Sequence, residues 1–398
     1  MNIRRRSFFP PPALKPFIGS GRPPAACLPA TRRPGLVLAL VAAALVAVAA
    51  HGQGYDLQAL PDYAPQKAED PAHCHGAVCH GVWGVIRISG TELTQHLIHL
   101  WEDHFLRRNP NIRFGDYFVP SGFAGLATGT ADICVIGHSA WRSDLVSFEQ
   151  VFGHPPLEIM FATGGFDERK GNTPGVIIFV NRANPIAALA MKQVDGIFGA
   201  ARSGGWNGTR WSTAGARSAA GNIRTWGQLG LKGAWSNEPI HVYGLDHTLS
   251  NWSELLQRVA FQGGDMWNPA MTEFVRGGTE VPADVRLVNA VARDRYAIGF
   301  DLMRVIEKNP AVKALALSRH EGGPYIPPTR ETMYRRTYPL SNAVYIYVNR
   351  PPGKPLSPRI REFLTYILSR QGQRDVVRDG MFIPLNPQAD RDQMGRLN

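Results

Sequence analysis

The order of apolar and polar positions predicts a chain in which strands alternate with helices. Residues 82–88 are typical of a short buried strand, and the apolar residues of 93–105 then recur at helical spacing until Asn109-Pro110. Further strands are predicted at 112–119, 131–136, 176–180, 241–243, 296–300 and 343–348. Further helices are predicted near Phe123, from Thr248 and across 359–370. This succession of strand and helix favours an α/β fold with a parallel sheet.

The N-terminal 50 residues have the features of an export signal. Residues 36–50 are an uninterrupted apolar run that follows Arg32 and Arg33. The run is long enough for the core of a signal peptide but shorter than the roughly 18–20 residues of a membrane span. Ala47-Val48-Ala49 supplies small residues for cleavage near Ala50. We therefore expect 1–50 to be a signal peptide with an extended leader and the protein to be periplasmic or extracellular; an uncleaved anchor is the alternative.

The charge of the chain depends on this leader. The sequence has 43 Lys and Arg against 32 Asp and Glu, a net charge of +11. Residues 1–50 contain seven of the basic residues and no carboxylate, which leaves 36 against 32 in the remainder. A nearly balanced charge excludes a strongly basic mature protein, and we expect no nucleic-acid partner.

Residues 51–83 are expected to form an N-terminal extension with an unusual cluster of cysteine and histidine. The cluster consists of His73, Cys74, His75, Cys79 and His80. In an oxidising compartment, two thiols five positions apart predict a Cys74–Cys79 disulfide, and metal ligation by the cluster is the alternative. The spacing does not fit haem attachment. Cys134 lies in an apolar run and is predicted to be a buried structural thiol.

The stretch 199–237 differs from its surroundings in composition. It has nine Gly, four Arg, one Lys, no carboxylate and four of the nine Trp. One interpretation is a basic, aromatic surface for a partner or a nucleic acid. The other, which we favour, is a set of loops on the outside of a lobe that Trp side chains anchor.

Three turns stand where a strand is predicted to be followed by a helix, and each has small or hydroxyl side chains. They are Ser89-Gly90-Thr91, Ser121-Gly122 and Asp246-His247-Thr248. The first N–H groups of a helix lack partners and carry a partial positive charge, so three converging turns would bind an oxyanion. Ser and Thr are also common helix caps that need no ligand, and spacing alone does not show that the turns converge.

Several short motifs occur in an order that resembles the PstS-type phosphate-binding proteins of ABC transporters. The motifs are Ile88-Ser89-Gly90-Thr91, Gly129-Thr130-Ala131-Asp132-Ile133, Val180-Asn181 with Asn184-Pro185, Gln193-Val194 with Gly196-Ile197-Phe198-Gly199, Ala297-Ile298-Gly299-Phe300, Pro328-Thr329-Arg330-Glu331, Tyr338-Pro339-Leu340-Ser341, Tyr345-Ile346-Tyr347-Val348, Leu368-Ser369 with Gly372-Gln373, and Gly380 with Pro384-Leu385. The resemblance implies a two-lobed α/β fold of the type II periplasmic-binding-protein class, with a two-strand hinge. It implies that lobe 1 comprises 84–181 and 323–390, and that lobe 2 comprises 182–322.

The resemblance also implies where a ligand binds. Gly90 and Thr91 match the first phosphate-binding loop of the family, and Ser121-Gly122 match the second. Where many members have a Ser after the Ala-Asp-Ile strand, this chain has His138 and Ser139.

The fourth binding segment departs from the family pattern Arg-x-x-Gly-Ser-Gly-Thr. Here the residues 242–248 keep only Thr248 with certainty, the Arg is absent, and Asp246 stands where a Ser is expected. Asp246 allows three interpretations. In the first, Asp246 accepts a hydrogen bond from hydrogen phosphate, which sulfate cannot donate. In the second, it binds a different solute together with His247 or His138. In the third, it caps its own helix and occupies the anion site.

These observations predict an extracytoplasmic solute-binding protein that captures phosphate or a related oxyanion for an ABC transporter. We expect the permease as its partner, a monomer, no cofactor, and contact with the membrane only through the transporter or an uncleaved leader. Motifs of serine hydrolases, zinc proteases and nucleotide-binding enzymes do not occur, so no enzymatic activity is expected. The alternative is a binding-protein fold reused as an interaction or structural protein that does not bind phosphate.

Overall fold

The computed structural model describes residues 54–66, 82–119, 122–164, 175–248, 250–277, 279 and 281–398. The expected leader, the Cys74–Cys79 pair with its histidines, and Ser121 lie outside the described residues. The described strands are β1 (Gly84–Gly90), β2 (Ile112–Phe118), β3 (Ile133–Ile136), β4 (Leu157–Gly164), β5 (Val176–Asn181), β6 (Ala188–Ala190), β7 (Gly205–Asn207), β8 (Arg210–Ser212), β9 (His241–Leu245), β10 (Thr272–Phe274), β11 (Ala297–Leu302), β12 (Val312–Ala314), β13 (Ala316–Ser318), β14 (Ala343–Val348) and β15 (Phe382–Ile383).

The helices of the described residues cover the sheets formed by these strands. They are α1 (Gln95–Leu106), α2 (Phe123–Ala127), α3 (Arg142–Phe152), α4 (Met191–Phe198), α5 (Asn251–Val259), α6 (Ala283–Arg293), α7 (Met303–Ile306), α8 (Arg330–Tyr334), α9 (Pro358–Leu368), α10 (Arg370–Asp379) and α11 (Pro387–Gly395). None of these helices, within the part of the chain that the structure describes, is both long and apolar enough to cross a membrane.

Two larger sheets form the framework, and each has a hydrophobic core of its own. The first has the order β15-β4-β14-β3-β1-β2 and the second β10-β9-β11-β5-β12. Strand β1 runs parallel to β2 and β3, but β14 runs antiparallel to both β3 and β4. The prediction of a parallel sheet is therefore only half right. The sheet is mixed because β14 belongs to a segment that returns from the second sheet.

The chain crosses between the two sheets twice. The first crossing lies between β4 and β5 and includes residues outside the description, and the second, residues 319–342, contains α8 rather than a continuous strand. Strand β5 falls inside the expected lobe-1 segment 84–181 but pairs with β11 and β12 of the second sheet. Lobe 1 denotes the first sheet with its helices, and lobe 2 denotes the second sheet with its helices.

Helix α1 shows how the predicted apolar positions become core. Leu97, Trp101 and Phe105 are fully buried, as their spacing predicts, and the indole Nε1 of Trp101 donates a hydrogen bond to the carbonyl of Gly372 at 3.0 Å. Cys134 on β3 is also fully buried and unpaired, and burial raises the pKa of its thiol. The prediction of a structural thiol is confirmed.

Three of the four arginines of the stretch 199–237 are bonded to acceptors within lobe 2. The Arg202 guanidinium makes two hydrogen bonds of 2.7 Å to the carboxylate of Asp195 on α4, and Arg217 Nε lies 3.2 Å from Asp195 Oδ1. Arg224 donates to backbone carbonyls that include that of Gly196, and Trp226 is fully buried. The structure favours the interpretation of this stretch as anchored loops, because three of its four arginines satisfy internal acceptors.

Candidate functional site

The first predicted turn ends strand β1 and contains a buried hydroxyl group to which the described residues offer no partner. Ser89 is fully buried, and its hydroxyl donates to the carbonyl of Ile133 at 3.4 Å, which ties it to the sheet. The N–H of Thr91 points to the carbonyl of Val135, at 3.4 Å. Thr91 Oγ1 is buried and has no hydrogen-bond partner among the described residues. A buried hydroxyl in this condition is unfavourable unless a ligand or water completes it.

The second predicted turn lies against the first. A Cβ atom added to Gly122 would stand only 3.0 Å from the carbonyl carbon of Gly90, so the two glycines let their backbones approach closely. Gly122 precedes the five-residue helix α2. The structure therefore brings the backbones of Gly90 and Gly122 together, which their spacing in the sequence did not show.

The segment after β3 is fixed by hydrogen bonds on both sides. The N–H of Ala140 donates to the hydroxyl of Tyr347 at 2.8 Å, and that hydroxyl donates to Glu158 Oε2 at 2.8 Å. His138 Nδ1 lies 2.5 Å from the carbonyl of Ser139, and burial lowers the pKa of its imidazole. Ser139 Oγ donates to Glu254 Oε2 at 2.8 Å. Ser139 is thus bonded across to lobe 2.

The fourth segment folds as a local turn. Asp246 Oδ1 accepts hydrogen bonds from the N–H of Thr248 at 2.8 Å and from its hydroxyl at 2.7 Å. His247 Nδ1 lies 2.8 Å from Glu273 Oε1. The prediction that Thr248 begins a helix is wrong: α5 begins at Asn251, and Ser250 Oγ accepts from Trp252 N at 3.3 Å as its cap. Asp246 therefore caps a local turn, whereas the cap of helix α5 is Ser250.

Asp246→Ala is expected to lower the free energy of unfolding by about 1 kcal/mol, because both hydrogen bonds from Thr248 are lost. Asp246→Asn keeps the accepting oxygen and is expected to be close to the unchanged protein. Urea unfolding followed by circular dichroism measures both variants. An Asn variant as unstable as the Ala variant would mean that the charge of Asp246 matters more than the turn.

Two residues of α5 join the site although no pattern in the sequence points to them. Glu254 and Arg258 are one helical turn apart, with Arg258 Nε 3.4 Å from Glu254 Oε1. Withdrawal from water raises the pKa of Glu254. In the sequence, a Glu and an Arg at this spacing resemble any solvent-exposed ion pair of an amphipathic helix. In the structure, the hydrogen bond that Glu254 accepts from the Ser139 hydroxyl distinguishes this pair.

A cavity of about 740 Å³ opens beside this hydrogen bond, between the two lobes. Lobe 1 contributes 140–143, 145 and 146 around the start of α3, and lobe 2 contributes Glu254, Arg258 and residues of the β7–β8 hairpin that include Trp206. The guanidinium of Arg142 lies over the Trp206 ring at 4.7 Å, and Thr209 Oγ1 donates to Glu149 Oε2 at 2.7 Å. The wall therefore offers cationic, aromatic and carboxylate groups. Of the predicted binding residues that the structure describes, none is among those lining this cavity; Ser139 contacts Glu254, which does line it.

Two lobes that enclose a polar cleft are the architecture of a binding protein. The family model described as the PBP superfamily domain matches residues 83–371, and the chain belongs to this superfamily. The chain is 29% identical over 320 residues to a Pseudomonas aeruginosa protein named Phosphate-binding protein PstS, across 80% of this chain and 88% of the relative. A protein of the same name from Staphylococcus saprophyticus is 21% identical over 234 residues, across 58% of this chain and 62% of that relative. The resemblance predicted from the ordered motifs is confirmed.

Solved structures with a similar chain course include an ABC-type phosphate transport receptor from Vibrio cholerae. It is 18% identical with a TM-score of 0.47, and the match covers 76% of this chain and 100% of the receptor. PstS from Borrelia burgdorferi is 15% identical with a TM-score of 0.47, covering 76% and 99% respectively.

Proposed function

We propose that this protein is an extracytoplasmic binding protein that captures phosphate or a related oxyanion and delivers it to the permease of an ABC transporter. The observation that carries the proposal is the similarity to a phosphate-binding protein over 80% of the chain. The activity that we assign is binding of the anion and not catalysis. The assignment places the mature protein in the periplasm or outside the cell, after removal of the leader 1–50.

The contact between the first two turns supports this function. A tetrahedral anion next to Gly90 and Gly122 would receive backbone N–H groups and the unpartnered hydroxyl of Thr91. Closure of the lobes around the anion would replace its hydrating water molecules with these hydrogen-bond donors. Asp246 Oδ1 already accepts two hydrogen bonds from Thr248, so this oxygen is engaged within the turn.

Calorimetric titration with phosphate and then sulfate tests the proposal, after bound anion has been removed by partial unfolding. Phosphate is expected to bind, and Thr91→Val is expected to weaken it by about tenfold or more, because a hydrogen bond to a charged group contributes about 1.5–3 kcal/mol. Thr272→Val, at an exposed position of β10, is the matched control and should leave the affinity unchanged. Equal affinities of the two variants would remove Thr91 from the site.

The hydrogen bond between the Ser139 hydroxyl and Glu254 favours a second candidate function, in which a binding-protein fold acts through a protein partner. In that case the Ser139 hydroxyl, which was predicted to bind a ligand, instead forms a contact between the lobes. Absence of heat with either anion, together with an unchanged fold, would support this second function over the first.

A further inference from the structure

Three potential metal ligands meet on the outer edge of lobe 1, where α1 crosses the edge strand β2. His99 and Glu102 lie one turn apart on α1, and Asp116 lies on β2. His99 Nε2 is 3.0 Å from Asp116 Oδ2, and one ligand atom from each of the three residues lies within 4.8 Å of the others. The ring of His99 also packs edge-on against Phe118, with the ring centroids 5.4 Å apart. The imidazole is therefore held toward the two carboxylates.

Glu102 gives the cluster a feature that an ordinary exposed acidic group lacks. The residue is only 8% exposed, and its Oε1 is buried without a hydrogen-bond partner in the described parts of the chain. A buried carboxylate is strongly unfavourable unless a cation or a proton compensates it.

The spacing of one pair of ligand atoms is compatible with a small divalent ion. Zinc–nitrogen and zinc–oxygen bonds are about 2.0–2.2 Å, so two ligands at tetrahedral angles stand roughly 3.3 Å apart. The separation of His99 Nε2 and Asp116 Oδ2 is close to this value. An imidazole in the set favours a transition metal over Mg²⁺ or Ca²⁺, which prefer oxygen ligands alone.

We propose that His99, Glu102 and Asp116 form a three-ligand Zn²⁺ site that fastens α1 to β2, with a water molecule as the fourth ligand. The site is distinct from the loops of Gly90 and Gly122, and it does not depend on the function proposed above. Its effect is on lobe 1 itself, since the metal would join a helix to the strand at the open edge of the sheet.

Titration of the untagged protein with ZnCl₂ in phosphate-free buffer tests this site. The protein should carry Cys74→Ser and Cys79→Ser, so that the cysteine pair of the N-terminal extension does not contribute ligands. We expect one Zn²⁺ to bind with micromolar or tighter affinity, to raise the melting temperature, and to be replaceable by Co²⁺ with a visible absorption band. Mg²⁺ should give no saturable binding.

Glu102→Gln and Asp116→Asn are each expected to weaken Zn²⁺ binding by about tenfold or more, because each removes an anionic ligand. Asp103→Asn changes an exposed neighbour on the same helix and is the matched control. Melting temperatures without metal show whether a variant is folded. Absence of Zn²⁺ binding to the folded parent, or equal binding by Glu102→Gln and Asp103→Asn, would overturn the proposal.

Discussion

Asp195→Ala is expected to lower the free energy of unfolding by about 3–5 kcal/mol, because it leaves buried arginine charges without their counterion. The side chains of Asp195 and Arg202 are only 8% and 3% exposed, and Arg217 lies beside the same carboxylate. Arginine does not lose its proton in a protein, so these charges cannot be relieved by titration. Urea unfolding at neutral pH measures the loss.

Arg210→Ala is the matched control for this prediction. Arg210 belongs to the same basic stretch but is exposed, so its replacement should change the free energy of unfolding by about 0.5 kcal/mol or less. A loss below about 1 kcal/mol for Asp195→Ala would show that the loops of 199–237 do not depend on this ion pair.

Asp301→Asn is expected to stabilise the protein increasingly as the pH rises from about 4 to 8. Asp301 is fully buried on β11; its Oδ1 accepts a hydrogen bond from Leu302 N at 2.7 Å, while Oδ2 has no partner in the described part of the structure. Burial, and after it the charge of Asp284, raises the pKa of Asp301 from 3.8 to about 8. The asparagine keeps the oxygen that Leu302 requires and has no charge to bury.

The direction of this effect follows from proton binding. Below pH 3.8 the carboxyl group is protonated in both the folded and the unfolded chain, so its titration does not affect stability. Between pH 3.8 and about 8 only the unfolded chain releases the proton, so the folded protein loses about 1.4 kcal/mol for each pH unit, on the order of 5 kcal/mol in all.

Urea unfolding at pH 5, 6, 7 and 8 measures the free energy of unfolding of the variant and of the parent protein. The difference between the two values at each pH is the contribution of Asp301. The other buried acids titrate in both proteins and cancel. The advantage of Asp301→Asn should grow with each step in pH. A difference that is constant across the series would mean that Asp301 titrates near its ordinary pKa in the folded chain.

The sequence was most informative where one local interaction decides the structure. Residues 343–348 form a strand between the same bounds as predicted, because an apolar run buried on both faces has few alternatives. The apolar face of α1 was equally clear, as the burial of Leu97, Trp101 and Phe105 shows. The ordered motifs identified the superfamily although each is weak alone.

Prediction failed where distant residues or a competing local turn decide the structure. At Thr248 the apolar spacing suggested a helix, but the hydrogen bonds from Thr248 to Asp246 favour a turn that delays the helix to Asn251. Ser139 and Glu254 lie 115 positions apart, and the sequence contains no signal that pairs them. For the same reason His99 and Glu102 were not associated with Asp116, which is on another element.

The place of β14 in the first sheet determines the order in which the lobes can be completed during synthesis. β14 lies between β3 and β4 and is hydrogen-bonded to both, but it is made after every strand of the second sheet. The second sheet uses only residues 176–314, a continuous run that can close as soon as it is available. Lobe 1 is begun first and finished last. Strands β3 and β4 lack their shared partner until residue 348 has been added, and unpaired strand edges of this kind favour aggregation.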